Sequence, residues 1–313
     1  GNFLAKEEEN THLPVWLSKL LLYGSGPFFV NPVKPVLNAI EGADYRRAYT
    51  HFRRDHKVPT NILYHCLCLC FQLTANFALL LKVDETLFPG KGWGPIASIS
   101  TLLWLGTVLF RSGGAPALVK LASVVSVSIG FLLRHSVAAN WQILAFAMTV
   151  MEVAALQVFV VNKAKDSSGK DRKPFSAVQY AKIMAARLTL HYFAVTSWRG
   201  SLAGSKGLVN VLVALFVAKS SQYPYTSGLF FVSFIGGLLA LLTDQPALYF
   251  YSTGFMATLC QGVAHHYAGE EGTLPQLAKI GDELSHTTFF PNLLFHTVYQ
   301  SATSGNSPEA TFA

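Results

Sequence analysis

Histidine is the residue whose type and placement in this chain could do chemistry. Of ten histidines, seven fall into two groups: His51, His56 and His65 in HFRRDHKVPTNILYH, and His265, His266, His286 and His296 in QGVAHHYAGEEGTLPQLAKIGDELSHTTFFPNLLFH. Pro59 suits the first turn of a helix, which puts His56 just before the helix begins. Asn61 and His65, four residues apart, then share one helix face and lean back toward His56. In the second group, His265 and Glu270 or Glu271 leave the end of an apolar run together. Neutral imidazoles with a carboxylate and open positions are the ligand set of a non-haem iron centre that handles oxygen. A lone histidine at the end of an apolar run also serves as an interfacial hydrogen bonder. His12, His51, His135 and His191 read that way.

The elements that must position these residues follow from composition. The chain of 313 residues is 51% apolar and 13% charged, with a mean hydropathy of +0.35. Soluble domains carry about 25% charged residues. A water-soluble globule is therefore excluded, and the high apolar fraction, aperiodic glycine and only four cysteines exclude disorder, collagen-like repeats and a disulfide scaffold. What remains is an all-α, polytopic transmembrane helix bundle. The net charge of +7 is concentrated at Arg46, Arg47, Arg53, Arg54 and Lys57, and at Lys163, Lys165, Lys170, Arg172 and Lys173. These are flanking charges on one membrane face, which argues against a nucleic-acid partner. Cys66 and Cys70 lie on one helix face with Cys68 opposite, and with Cys260 they read as buried thiols.

Residues 1–45 read as a surface arm with a short interfacial helix around Trp16 to Tyr23. A removed targeting peptide or a trimmed chain would each explain a start at Gly1. Residues 46–162 form a first membrane half, with spans at about 61–83, 94–110, 115–133 and 138–162, the second and third ending at Arg111 and at Arg134-His135. A polar loop at 163–174 separates it from a second half, 175–263. There 207–219, 226–243 and 246–262 read as spans, and 176–197 as either a span with inward charges or an interfacial helix. This makes about seven or eight spans. The block 264–313 carries the second histidine group, a proline-started helix from Pro275 to about Ser285, an apolar run from Phe289 to Tyr299, and a polar tail.

The string His56-x-x-Pro59-x-Asn61-x-x-x-His65, with Phe52 four residues earlier, resembles the signature of the polytopic 2-hydroxy-fatty-acid dioxygenase family. The family's second block is similar to Gln261-x-x-Ala264-His265, Glu270 or Glu271, and Pro275-Gln-Leu277, followed by Phe289-Phe290-Pro291. Together the two blocks cover about 90 residues. The chain departs from the family at Cys68 and Cys70, where Gly and Pro are usual, and at Ala264, where Gly is usual. It also inserts several spans between the blocks.

The resemblance implies a membrane enzyme of the endoplasmic reticulum that uses Fe(II) and oxygen to shorten a 2-hydroxy fatty acid by one carbon. Membrane lipids and the acyl-chain substrate would be its partners. Carried over position by position, His56, His65 and His265 would be metal ligands, with His266 and Glu270 or Glu271 as further candidates. Asn61, Glu270 and Glu271 would be catalytic candidates. The enlarged middle also fits a second reading, a non-catalytic subunit derived from that family in a plastid or mitochondrial supercomplex. There the partners would be other membrane subunits, and the histidines could ligate pigment or haem.

Overall fold

A computed structural model of the chain describes residues 11–24, 30–140, 144, 247, 250, 257, 260–262, 264–265, 268–270, 272–273, 277 and 279–303. The described residues are helical and contain no strand. In order they form α1 (Val15–Gly24), α2 (Val33–Ile40), α3 (Tyr45–Arg54), α4 (Pro59–Leu87), α5 (Pro95–Gly106) running into a π-helical turn (Thr107–Arg111), α6 (Ala117–Ala139), α7 (Ile280–Thr288) and α8 (Phe290–Thr303).

Pro59 opens α4 as its first helical residue, where its missing N–H costs nothing. At 29 residues α4 spans about 43 Å, and α6, with 23 residues, about 35 Å. These two helices are long and apolar enough to cross a membrane. The expected span at 94–110 is α5 plus the π turn, and its 17 residues fall short of the ~20 a straight crossing needs. The expected stop at Arg134-His135 is overturned, because α6 continues to Ala139. Arg134 folds back over the Phe131 ring, 3.8 Å from its centroid, and donates to Phe131 O at 2.7 Å. Its charge therefore need not end the helix. Of the expected span 138–162 only residues 138–140 and 144 are described, and the expected spans at 176–197, 207–219 and 226–243 lie outside the described residues.

Two helices that carry no site residue of their own fix α4. Gly130 lets α6 approach closely, since a Cβ there would meet the Phe77 ring at 2.9 Å. At the far end the buried Asp84 accepts from Ile96 N at 2.7 Å and Ala97 N at 2.9 Å. It thus satisfies orphan donors of the first turn of α5.

The chain before α3 packs more deeply than a surface arm would. Trp16 (68% exposed) and Leu20 (58%) face outward from α1 as expected of an interfacial helix. Val30, Leu37 and Asn38 are buried, Val30 N donates to Asn76 Oδ1 at 3.1 Å, and Trp104 Nε1 donates to Asn31 O at 3.0 Å. Residues 30–40 are thus tied to α4 and α5. The main apolar core joins Tyr49 and Phe52 of α3, Leu69, Leu73 and Phe77 of α4, Trp104 of α5, and Phe290, Leu293 and Leu294 of α8.

Near the C-terminus the expected helix from Pro275 starts later. Leu277 lies outside any helix, Lys279 is in a bend, and α7 begins at Ile280. Pro275 itself lies outside the described residues. The apolar run from Phe289 is α8, which extends to Thr303.

Candidate metal centre

The site is assembled around the junction of α3 and α4. Asp44 caps α3, its carboxylate accepting from Arg46 N at 2.8 Å. On α3, Tyr45, Tyr49 and Phe52 are buried along one side. Tyr45 Oη meets His296 Nδ1 at 3.0 Å, the Tyr49 ring stacks on His296 with centroids 3.8 Å apart, and Tyr49 Oη donates to Gln300 Oε1 at 2.8 Å. These contacts lock α3 to α8. Arg47 reaches Asp282 of α7 with contacts of 2.7 and 2.9 Å. The end of α3, and so His56, is held from two sides.

His56 follows the last turn of α3, with its ring stacked on Phe52 at 3.7 Å. Its Nδ1 lies 2.7 Å from Phe52 O. A carbonyl can only accept, so Nδ1 carries the proton and Nε2 presents a lone pair. His65, one turn into α4 from Asn61, repeats the device: its Nδ1 donates to Asn61 O at 2.8 Å. The two Nε2 atoms face each other at 3.1 Å. His265 completes the group, its ring centroid 4.4 Å from that of His56 and 4.8 Å from that of His65. The three rings stand at 77–86° to one another, and their ligand atoms all lie within 4.8 Å of each other.

Burial sets the charge state. His56, His65 and His265 are 1%, 2% and 8% exposed. Burial, reinforced by the neighbouring imidazoles, holds the pKa of His56 well below the usual histidine range, and burial followed by His286 brings that of His265 down to about 4. Neutral rings are the form in which histidine binds a metal, and at His56 and His65 the tautomer also leaves Nε2 free to ligate. Two nitrogens about 2.1 Å from a shared metal lie roughly 3.0–3.4 Å apart for angles between 90° and tetrahedral. The separation of His56 Nε2 from His65 Nε2 fits within that range. These three histidines could bind a metal ion.

Asn61 and Glu270 support this group. The Asn61 Nδ2 amide donates to Glu270 Oε2 at 2.9 Å and lies 3.3 Å from His265 Nδ1, while its carbonyl holds His65. One residue therefore touches two of the three imidazoles. The helix carrying His265 closes at Gly269, whose φ of 77° is open to glycine at little cost. Glu270 N then donates back to His265 O at 3.1 Å, the six-to-one bond of a Schellman turn. That turn aims Glu270 at the start of α4, where Oε1 accepts from Lys57 N and from Val58 N, the latter at 3.1 Å. Burial raises the pKa of Glu270 above the usual carboxylate range, with its three donors pulling the other way. Both oxygens are engaged by protein donors, so Glu270 braces the start of α4.

The remaining candidates divide. His266 and Glu271 lie outside the described residues, as does His191. His12 and His135 are exposed, and His51 is half-buried. Cys68 and Cys260 are buried thiols, but Cys70 is exposed, because it lies half a turn round α4 from Cys68. His286 belongs to the second histidine group without a role legible in the sequence, yet it packs against Phe52 with centroids 5.5 Å apart. No family model, curated protein or solved structure matches the chain.

Proposed function

We propose that this chain is a polytopic membrane dioxygenase of about seven or eight spans, which holds Fe(II) on His56, His65 and His265 and shortens 2-hydroxy fatty acids by one carbon. The observation that carries this reading is the meeting of His56 and His65 with His265, which is 200 residues from His65 in the sequence. The two blocks that supply these histidines are the two that resemble the dioxygenase family. Overall balance requires one dioxygen per 2-hydroxy acid, giving the acid one carbon shorter, carbon dioxide and water.

Iron would supply a place where the substrate's 2-hydroxyl and carboxylate and dioxygen meet. The protein's own residues do the rest. The carbonyls of Phe52 and Asn61 fix the imidazole tautomers, Asn61 orients His265, and Phe52 and Phe290 keep water from the rings. Acyl-chain substrates and membrane lipids are the partners this reading assigns, and the endoplasmic reticulum is the membrane. A non-catalytic supercomplex subunit would have no need of three buried imidazoles whose nitrogens lie within 4.8 Å of one another, and pigment or haem ligation would need only one.

The test is oxygen uptake by the purified, iron-loaded protein on a 2-hydroxy fatty acid, with chain-shortened acid measured by mass spectrometry. The expected result is stoichiometric uptake and product, both lost in His56→Ala and His265→Ala. An iron-free protein that copurifies in fixed ratio with a larger complex and consumes no oxygen would overturn the reading.

A further inference from the structure

Beside the three histidines stands a fourth imidazole that the site described so far does not use. His286 is 7% exposed, and its Nδ1 is buried with no hydrogen-bond partner among the described residues. Its ring packs against Phe52 at 5.5 Å and Phe290 at 6.1 Å. The same two rings flank His65, at 6.3 and 6.2 Å, and Phe52 is stacked on His56. His286 and the trio therefore share one aromatic wall. Electrostatic coupling points the same way, since His286 is felt by both His56 and His265.

His286 is nevertheless outside the group whose ligand atoms lie within 4.8 Å of one another. Its ring stands beside that group, against the Phe52 and Phe290 rings that also flank His65. The Arg47–Asp282 ion pair, one turn before His286 on α7, holds that ring in register with α3. Buried polar atoms are almost always paired, so an orphaned imidazole nitrogen in a metal-site wall points to a partner that arrives with the ligand.

We propose that His286 is a positioning residue for the small exogenous ligand of the metal centre, to which its imidazole forms a hydrogen bond. The ligand class is a small anion or diatomic able to accept or share a hydrogen bond. This inference rests on the three-histidine metal reading and is separable from it.

The experiment uses the full chain in detergent, loaded with Co(II), and titrates azide by visible absorption. His286→Phe keeps the aromatic wall and removes the nitrogen; His286→Gln restores a hydrogen-bonding group. The expected result is that both variants keep the wild-type Co(II) stoichiometry, that His286→Phe weakens azide binding by about tenfold, the scale of one hydrogen bond, and that His286→Gln recovers most of it. Unchanged azide affinity in His286→Phe would overturn the proposal, and so would loss of Co(II) from that variant, which would make His286 a ligand instead. If the wild-type chain binds no Co(II), the metal reading fails and this inference with it. If Co(II) binds but azide affinity ignores His286, only the inference fails.

Discussion

His56 Nε2 and His65 Nε2 face each other at 3.1 Å while both Nδ1 atoms donate to backbone carbonyls. With the protons on Nδ1, two lone pairs point at one another, a contact that cannot be a hydrogen bond between neutral rings. A positive charge between or beside them would relieve this repulsion. A proton is disfavoured, because burial opposes charging His56. A metal ion bound by both nitrogens removes the repulsion.

Metal binding should accordingly stabilise the fold. A ligand that binds only the folded chain adds about 2.7 kcal/mol at a hundred times its Kd. We expect Tm to rise with Co(II) or Fe(II) in wild type and not in His65→Ala, checked by thermal denaturation in detergent with and without chelator. A metal-independent Tm in wild type would count against the site.

Asn61 should act on the metal through His265 and His65. Loss of such supporting bonds commonly costs 10–100-fold in metal affinity. Asn61→Ala is therefore expected to weaken Co(II) binding by about that factor while keeping one metal per chain. A competitive chelator titration reads it.

Glu270 should matter to α4 more than to the metal. Its carboxylate serves Lys57 N, Val58 N and Asn61 Nδ2, so Glu270→Ala leaves donors unsatisfied at a cost of about 1–3 kcal/mol. Glu270→Gln, which keeps an acceptor oxygen, should lose less. Denaturant unfolding of both variants checks the order, and metal stoichiometry should stay unchanged.

Acid should act in a defined direction. The unfolded chain takes up protons on histidine near pH 6.5, whereas folded His265 resists until about 4 and His286 until about 3. Their neutral burial contributes stability that is fully present above pH 6.5 and is lost as pH falls toward 4 and 3. For the same reason metal affinity should be nearly flat from pH 7.5 to 5.5. Were His56 and His265 ordinary histidines, proton competition at pH 5.5 would cost about a hundredfold. Co(II) titrations at the two pH values decide between these.

How much of this was legible in the sequence depends on how local each feature is. The relation of Asn61 to His65 follows from helix spacing and the Pro59 start, and both residues lie where that geometry puts them. The convergence of His265 rests on tertiary packing, and it was the resemblance between blocks that pointed to it. The position of Glu270 against the start of α4 was illegible, because it depends on the left-handed turn at Gly269. Helix α2 was missed, since Pro35 and Lys34 disguise a short helix whose Leu37 is buried. Charge misled at Arg134, where cation–π contact with Phe131 carries the helix onward. His286 was visible as a histidine, but its place beside Phe52 is set by α7 packing on α3.

The central claim is that His56, His65 and His265 hold one metal ion. X-ray absorption of the metal-loaded protein, with metal content by mass spectrometry on wild type, His56→Ala and His265→Ala, tests it most directly. The account predicts one metal per chain with three imidazole nitrogens at about 2.0–2.2 Å, and loss of the metal in both variants. A wild-type protein that binds no metal, or variants that retain it with unchanged scattering, would contradict it.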